Sequence, residues 1–431
     1  MRVNKEIQTL LLFILIFILF YFLPVGYSKF DKAVFEAFEL TKWYAREHVL
    51  FCLIPAFFIA GAISVFVKQE SVLRYLGSGS NKILSYGVAS ISGAILAVCS
   101  CTVLPLFAGI YNQGAGIGPA STFLYSGPAI NVLAIILSAK ILGLDIGFAR
   151  AIFAILFSII IGLLMQYFFS KSDTERLNNI VSPKGAKNHR KLWQDIVYFV
   201  TMVAILVFAN WGNPSSEDNV LYWIFINKWI LTTFFSIILA LILIFWFKAK
   251  WQIIILSSLL VLSVEILFAN VTLSFLVGLI GFIFSLLWGS EELKDWLWST
   301  WEFSKQILPL LFVGVLLSGF ALGRPGSEGI IPSEWVSMLL GGNSLLANFF
   351  ASVIGTFMYF ATLTEVPIVQ GLLGSGMGKG PALALLLSGP ALSLPSILVI
   401  NRILGFKKTL VFVVLVIIFS TLIGFVFGSF F

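Results

Sequence analysis

Long apolar runs separated by short polar or Gly/Pro-rich stretches cover almost the whole chain. Such runs occur near residues 8–26, 48–67, 146–169, 229–247 and 409–430, with others between them. A helix needs roughly 20 mostly apolar residues to cross the hydrocarbon core of a bilayer. The pattern therefore predicts an all-α protein, a polytopic transmembrane helical bundle without a sizeable soluble domain.

Composition and charge narrow the class further. Hydrophobic residues make up 59% of the chain and the mean hydropathy is +1.02, which excludes an ordinary soluble protein. The net charge of +7 comes from short Lys and Arg clusters between apolar runs, as in loops that orient membrane proteins. We therefore expect the lipid bilayer and a small-molecule or ion substrate as partners, expect no nucleic acid, and assign no oligomeric state.

The chain contains an internal repeat. Residues 105–143 align without a gap with residues 367–405, at a constant offset of 262, and sixteen of the 39 positions are identical. The identical positions include the SGPA sequences at 126–129 and 388–391. Broken hydrophobic segments at matching places in two halves are typical of a transporter whose substrate lies at the repeat interface near the bilayer midplane. The alternative is a duplicated scaffold whose glycines serve only close helix packing.

The repeat and one polar stretch divide the chain into five parts. The polar stretch, residues 171–195, carries six Lys or Arg residues and is the best candidate for a cytoplasmic loop. The predicted parts are an N-terminal helix and loop (1–47), repeat 1 (48–170), the basic cytoplasmic linker (171–195), intervening transmembrane helices (196–303) and repeat 2 (304–431).

Loop charge favours inverted repeats. If the linker is cytoplasmic, the turn at 140–150 lies outside, whereas its counterpart at 402–408 carries the positive charge of an inside loop. Lys140 and Arg150 weaken this argument because they add positive charge to the first turn. The basic N-terminus also has the charge of a cytoplasmic segment, so a re-entrant hairpin in one broken segment is needed to reconcile the two.

The interrupted segments are the candidate substrate site. Irregular backbone at membrane depth survives only where protein or a water-filled cavity satisfies the freed amide and carbonyl groups. The SGPA turns should expose helix ends whose dipoles can hold an ion or a polar group, although a purely structural kink is the alternative. The candidate substrate-binding residues at these turns are Ser126, Gly127, Pro128 and Asn131 in repeat 1, and Ser388, Gly389, Pro390 and Ser393 in repeat 2.

Cys99 and Cys101 are the candidate ligands for a soft ion or metalloid. Thiolates are soft ligands, but side chains at positions i and i+2 of a regular helix diverge by about 200 degrees. The pair can converge only if the chain unwinds, which the nearby proline and glycines favour. The counterparts in repeat 2 are Ala361 and Leu363, so only one half offers thiols. The alternative is that both cysteines are small packing residues.

Repeat 2 offers a carboxylate instead. Glu365 lies in the apolar sequence TLTEVPIV and aligns with Val103. A carboxylate at membrane depth costs roughly 2.5–3.5 kcal/mol on insertion scales, so it faces a cavity or a partner and often carries protons. We expect Glu365 to serve proton coupling or substrate contact; the alternative is a carboxyl that caps unwound backbone.

These motifs resemble those of a known family. CSCTVLPLFAGIYNQGAGIGPASTFLYSGPAINVLAIIL, with TLTEVPIVQGLL and LLSGPALSLPS in repeat 2, is similar to the predicted permease family that includes bacterial organoarsenical efflux permeases. The resemblance covers about residues 48–170 and 304–430. It implies a multi-pass protein of the bacterial inner membrane. In the arsenical branch it also implies a cysteine pair that holds trivalent arsenic during proton-driven export. Ala97 stands where that branch is expected to have a proline, so the resemblance supports the family and not arsenic as the substrate.

The sequence therefore predicts a secondary transporter that exports a small soft or anionic solute, such as a trivalent metalloid or organoarsenical, with proton coupling. It contains no Walker loop or nucleotide-binding glycine pattern, and we expect neither enzyme activity nor a cofactor. One alternative is a membrane thiol oxidoreductase that uses Cys99 and Cys101, although such chemistry generally needs a second cysteine pair or a quinone. The other alternative is a passive channel.

Overall fold

The computed structural model is helical throughout the residues that it describes. These residues contain no β-strand, only isolated bridges of Met377 with Gly341 and Gly342. The described part of the chain comprises residues 21–66, 81–96, 100–130, 132–179, 192–212, 220–323, 338–359, 365–374 and 376–430, with isolated positions at 10, 13–14, 17–18, 76, 327 and 329–331. The predicted all-α class is confirmed for this part of the chain.

Eighteen α-helices are numbered along the described residues. The first half forms α1 (Ser28–Tyr44), α2 (Ile54–Phe66), α3 (Lys82–Leu96), α4 (Ser100–Asn112), α5 (Ile117–Ala129), α6 (Val132–Ile141) and α7 (Leu144–Asn179). The middle forms α8 (Leu192–Ala209), α9 (Val220–Ile226), α10 (Lys228–Phe245), α11 (Trp251–Phe268) and α12 (Val271–Leu287). The second half forms α13 (Glu291–Leu322), α14 (Leu345–Phe357), α15 (Glu365–Gly374), α16 (Lys379–Ser388), α17 (Leu394–Leu404) and α18 (Phe406–Phe430).

Six helical stretches of the described residues are long and apolar enough to cross a membrane. They are Ser28–Phe66, Leu144–Leu177, Lys228–Phe245, Trp251–Phe268, Glu291–Ala321 and Phe406–Phe430. Helices α5 and α6, bent by 46°, bring the number to seven if the pair counts as one span. By length and composition the chain is a polytopic helical membrane protein, as the hydrophobic pattern predicts.

All four boundaries between the predicted parts lie inside helices, and those at 170/171 and 195/196 fall in α7 and α8. A π-helical segment, Ala45–Leu53, joins α1 to α2, so residues 28–66 form one continuous helical stretch where the sequence pattern places a loop and then a span. The predicted boundary between residues 303 and 304 falls inside α13. This helix begins with Glu291 and Glu292, and acidic residues favour a helix N-terminus, so it extends beyond the apolar run.

The two halves of the repeat fold alike. Helices α3 to α7 correspond to α14 to α18, and each helix of the second half begins within three residues of the position 262 after its counterpart. The same glycines make the same close crossings. A Cβ added to Gly118 would lie 3.0 Å from the Gly162 carbonyl oxygen, and one added to Gly380 would lie 2.5 Å from the Gly424 carbonyl oxygen. The repeat therefore extends through α7 and α18.

Each half contains a helical hairpin whose two ends are tied together. The Gly116 amide, after α4, donates to the Leu76 carbonyl oxygen, before α3, at 2.7 Å. In the second half the Gly378 amide, after α15, donates to the Leu340 carbonyl oxygen, before α14, at 3.4 Å. The four arms have 15, 13, 13 and 10 residues. Each is shorter than the roughly 20 residues needed to cross the hydrocarbon core.

The break after the first SGPA sequence lies further along the chain than predicted. Helix α5 continues through this sequence to Ala129, and the Ile130 amide still donates to the Ser126 carbonyl oxygen at 2.9 Å. A proline in the last turn of a helix removes a single donor, so the turn persists. In the second half α16 ends at Ser388, and the Gly-Pro pair that follows forms the turn before α17, as predicted.

The intervening helices attach to the repeat through an aromatic cluster around Trp296 of α13. Trp296 is fully buried, and its Nε1 donates to the Phe58 carbonyl oxygen at 2.7 Å. Its ring contacts the rings of Phe58, Phe66, Tyr198, Phe247 and Phe282. These rings come from α2, α8, the α10–α11 connection and α12, so one indole joins the intervening helices to α2 of the first half.

The two halves contact each other reciprocally. Helix α4 of the first half packs on α17 of the second, and their counterparts α15 and α6 pack on each other in the same way. The Tyr125 hydroxyl donates to the Leu387 carbonyl oxygen at 3.1 Å, and Leu387 is the residue 262 positions later, the counterpart of Tyr125 itself. In a two-fold arrangement a residue touches its own counterpart only near the axis. Tyr125 and Leu387 therefore lie at the centre of the interface between the halves.

The glycine crossing predicts that Gly162→Ala destabilises the protein. The new Cβ would clash with the Thr122 hydroxyl and lie 2.7 Å from the Gly118 carbonyl oxygen, both on α5. Overpacking of this kind costs about 1–3 kcal/mol, so we expect a lower midpoint of thermal unfolding for the detergent-purified protein. Gly87→Ala is the matched control because a Cβ there meets nothing within 4 Å. Equal midpoints for the two variants would contradict the tight α5–α7 crossing.

Candidate functional site

A buried ion pair joins the two halves of the repeat. The Arg150 guanidinium on α7 donates from Nη2 to Oε1 of Glu365, the first residue of α15. Both side chains are 0% exposed. Glu365 therefore has the buried partner that a carboxylate in an apolar sequence requires, and the partner comes from the opposite half of the chain.

Ser138 on α6 completes the described part of the cluster. Arg150 donates from Nη1 to the Ser138 hydroxyl oxygen at 2.9 Å, and that hydroxyl donates to the Ala134 carbonyl oxygen at 2.7 Å. Ser138 is fully buried. The guanidinium is thus held between α6 of its own half and α15 of the other, at the reciprocal contact between the halves.

Two polar atoms of the cluster have no hydrogen-bond partner among the described residues. They are Nε of Arg150 and Oε2 of Glu365, and both are buried. Buried polar atoms are nearly always paired, and an unpaired one costs about 1–3 kcal/mol or more when charged. The ion pair is therefore half satisfied, which is the arrangement expected where a further group binds.

The equivalent positions in the other half are apolar. The offset of 262 relates Glu365 to Val103, Ser138 to Ile400 and Arg150 to Phe412. These three counterparts are 1%, 0% and 0% exposed. The repeat therefore has one charged cluster and one apolar counterpart, so its two halves share a fold and differ in chemistry.

One end of α7 carries an ion pair between the halves. Asp145, in the first turn of α7, accepts from Lys379 at the start of α16 at 2.7 Å. Lys379 is 45% exposed. Arg150 lies five residues further along α7, about 8 Å deeper along the helix axis.

The other end of α7 carries a second polar network. Asp173 accepts from the Ile117 amide, at the start of α5, at 2.8 Å. Arg176 bonds Asp173 and donates to the carbonyl oxygens of Tyr111 and Ala115, each at 2.6 Å. This network pins the turn between α4 and α5 to the end of α7. The starts of α5 and α16, which are counterparts, thus lie at opposite ends of one long helix.

The predicted serine and glycine positions are buried in helix contacts. The Ser126 hydroxyl lies 3.2 Å from the Ala89 carbonyl oxygen and 3.3 Å from that of Phe123, so it is used within the bundle. The Ser388 hydroxyl lies 3.3 Å from the Leu385 carbonyl oxygen. The remaining buried positions of the two turns are Gly127, Pro128, Gly389 and Pro390.

Ser393 acts as the N-cap of α17. Its hydroxyl oxygen accepts from the Ser396 amide at 3.3 Å and lies 2.7 Å from the Ser396 hydroxyl oxygen. Serine at this position is typical of helix starts because it satisfies an amide that the helix leaves free. The contact accounts for the break between α16 and α17 without a ligand.

The predicted thiol site falls largely outside the described residues. Cys99 and Asn131 lie outside them, and Cys101 belongs to the first turn of α4, where only the backbone is described. Residues 97–99 connect the two arms of the first hairpin. Among the described residues no group of three His, Cys, Asp or Glu side chains could hold a metal ion. The soft-ligand hypothesis for the cysteines stays a prediction.

Arg150 is the site residue that sequence reasoning missed. It was grouped with the charges of the turn at 140–150, whereas the structure buries it completely. Its sequence context, GFARAIFAIL, is apolar on both sides, which is the available signal. Because Arg150 is buried, its charge does not count toward the loop charge of the turn at 140–150. This weakens the argument against inverted repeats that the positive charge of the turn provides.

The fold is that of a polytopic helical membrane protein, and comparisons with known proteins identify its family. Residues 34–429 match the family model described as "Predicted permease", and the chain belongs to this family. It is 41% identical over 389 residues to UPF0718 protein MJ0584 of Methanocaldococcus jannaschii, an alignment that covers 89% of this chain and 93% of that protein. It is 32% identical over 109 residues to UPF0718 protein YraQ of Escherichia coli, covering 25% of this chain and 29% of the relative. No solved structure matches the chain.

The apolar residues at the equivalent positions of the other half predict which substitutions can replace the ion pair. Arg150→Met should lower the free energy of unfolding by about 3–5 kcal/mol because it leaves the Glu365 charge buried and unpaired. The double variant Arg150→Phe, Glu365→Val places the residues of the other half at both positions and should recover most of that loss. Thermal unfolding of the detergent-purified variants measures both effects. A double variant less stable than Arg150→Met would contradict the equivalence of the two clusters.

Proposed function

We propose that this protein is a proton-coupled secondary permease whose substrate site lies between the repeat halves at Arg150 and Glu365. The single observation that carries the proposal is the fully buried ion pair between the halves, which leaves one atom of each residue without a hydrogen-bond partner among the described residues. A carboxylate inside a membrane bundle marks a substrate or proton pathway by default. Glu365 is the proton carrier in this proposal, and Arg150 holds the substrate.

The proposal includes inverted repeats. Helices α5 and α16 are counterparts, and their N-termini contact opposite ends of α7 through Asp173 and Asp145. Helix α7 is kinked at Phe169, 24 positions after Asp145, so its straight part rises about 36 Å, which exceeds the roughly 30 Å hydrocarbon core of a bilayer. Counterparts at opposite faces of the membrane are what an inversion produces.

The proposal also makes the two hairpins re-entrant. Their bases are tied by the Gly116–Leu76 and Gly378–Leu340 hydrogen bonds, and their arms are too short to span. In sequence, Cys99 precedes the second arm of the first hairpin, and Glu365 begins the second arm of the second hairpin. A re-entrant hairpin in repeat 1 also removes the conflict between a cytoplasmic N-terminus and a cytoplasmic linker.

Two solute classes are compatible with this site. The described side chains, a guanidinium beside a carboxylate, suit a small anionic solute. The cysteine pair and the family resemblance favour a soft solute such as a trivalent metalloid. The resemblance implies export as the direction of transport. We retain both solute classes in the proposed activity.

Transport of protons by reconstituted protein tests the proposal. Proteoliposomes with a trapped pH dye receive an inward gradient of arsenite, glycolate or nitrite. We expect at least one of these solutes to drive proton movement through the wild-type protein, and we expect Glu365→Gln to abolish it because the amide cannot carry a proton. Solute movement without proton movement would indicate a passive channel.

Glu265→Gln is the matched control. Glu265 also lies in an apolar helix, but it is outside the repeat and accepts from the Ser274 hydroxyl at 2.6 Å. We expect wild-type proton movement from this variant. Cys99→Ser separates the solute classes, because it should abolish arsenite-driven movement only if the thiols bind the solute. Wild-type proton movement by Glu365→Gln would overturn the proposed role of Glu365.

Inversion predicts opposite labelling of two counterpart turns. In a background with all three native cysteines replaced by serine, Asn112→Cys and Gly374→Cys each place one thiol at an exposed position, at the end of α4 or α15 before the turn. A membrane-impermeant maleimide applied to right-side-out vesicles should label one variant, and inside-out vesicles should reverse the result. Labelling of both variants from the same side would exclude inversion.

A further inference from the structure

The Arg150 guanidinium presents half of a binding fork. Nε and Nη2 lie on the same edge of the group and can bind two oxygens of one planar anion side by side. Glu365 Oε1 accepts one hydrogen bond from Nη2, the Ser138 hydroxyl oxygen accepts one from Nη1, and Nε has no partner among the described residues. Glu365 therefore uses Nη2, one of the two nitrogens that an anion with two oxygens would bind.

The charge of the cluster must stay balanced as well. Arginine does not lose its proton in proteins, so Arg150 keeps its positive charge in every state. It is fully buried, and an unpaired charge in a membrane interior is strongly disfavoured. One negative charge must therefore accompany Arg150 whenever the site is closed to water.

Glu365 is the described group that can supply this charge. Helix α5 contributes Tyr125, whose hydroxyl is used by the Leu387 carbonyl oxygen, and α6 contributes exposed Lys140. Lys379 on α16 is paired with Asp145. The charged groups near the far end of α7 are Asp173, Arg176 and Lys408. Among the described residues only Glu365 forms an ion pair with Arg150.

We propose that the substrate is a small monovalent oxyanion, of the carboxylate type, that replaces Glu365 on the Nε/Nη2 fork of Arg150 while Glu365 takes up one proton. This inference rests on the proposed function and names the solute class of the same site. The empty site then holds Arg150 with ionised Glu365, and the loaded site holds Arg150, the anion and protonated Glu365. Both states are neutral.

Charge balance fixes the coupling. A site with protonated Glu365 and no anion would carry one positive charge, and a site with ionised Glu365 and the anion would carry one negative charge. Both are disfavoured by burial. The proton enters from the same solution as the anion and leaves with it, so one proton moves with each anion and no net charge crosses the membrane. Export then requires an outward gradient of the anion that exceeds the inward gradient of protons.

Proton uptake on binding tests the inference without transport. The detergent-purified full-length protein is titrated calorimetrically with formate, glycolate, nitrite and bicarbonate at pH 7, in two buffers with different ionisation enthalpies. We expect at least one of these anions to bind with uptake of close to one proton per site. Chloride has no oxygen atoms and sulfate is divalent, so each should bind at least tenfold more weakly than the anion that binds with proton uptake.

Variants distinguish the role of Arg150 in binding the anion from the role of Glu365 in taking up the proton. Arg150→Lys keeps the charge and loses the fork, so the affinity should fall at least tenfold while proton uptake per bound anion is kept. Glu365→Gln should bind the anion without proton uptake. If the double variant Arg150→Phe, Glu365→Val binds the anion as the wild type does, the inference is wrong. Absence of binding by all four anions, or binding without proton uptake by the wild type, also overturns it.

The dependence of anion accumulation on membrane potential distinguishes a failure of this inference from a failure of the proposed function. In proteoliposomes clamped with potassium and valinomycin, the final accumulation of the anion that binds should change less than twofold between zero and an imposed potential. One net charge per cycle would change it roughly 50-fold for about 100 mV. Accumulation that depends on Glu365 and on voltage would leave the proposed function standing and overturn electroneutral coupling.

Discussion

A permanent positive charge inside an apolar bundle is the constraint on which this structure depends. Arg150 is fully buried and cannot be neutralised by loss of a proton, so the chain must bring a negative charge to it. That charge comes from Glu365, 215 positions away, at the start of a helix in the opposite half. The ion pair therefore joins the two halves of the repeat at a buried point.

The rest of the bundle is held by close packing. Lipid chains are as apolar as leucine, so helices in a membrane associate through small residues and interhelical hydrogen bonds rather than through the hydrophobic effect. Gly118 and Gly162, with their counterparts Gly380 and Gly424, let backbones meet directly. Trp296 uses its ring and its Nε1 hydrogen bond to attach the intervening helices. Repetition of the glycine crossing gives both halves the same scaffold, and a few substitutions then give them different chemistry.

Sequence alone predicts those features that rest on local rules. Apolar run lengths give the helical membrane class, and matching glycines and prolines give the repeat together with the helices that it relates. The requirement that a carboxylate in an apolar sequence have a partner singles out Glu365, which pairs with Arg150. Its partner could not be predicted in the same way, because Arg150 lies near a turn where positive charge is common. Only the tertiary contact with α15 decides that this arginine faces the bundle and not the headgroups.

The hydrogen bond between Tyr125 and Leu387 has a mechanical consequence. Tyr125 and Leu387 occupy equivalent positions in the two halves, so the bond lies close to the two-fold axis that relates them. When two rigid bodies rock about such a line, points near it move least and points far from it move most. This bond is therefore the fulcrum of any rocking between the halves. The Asp145–Lys379 pair joins the halves away from this line, so its geometry would change in such a motion, whereas the Asp173–Arg176 network lies within the first half and would move as part of it.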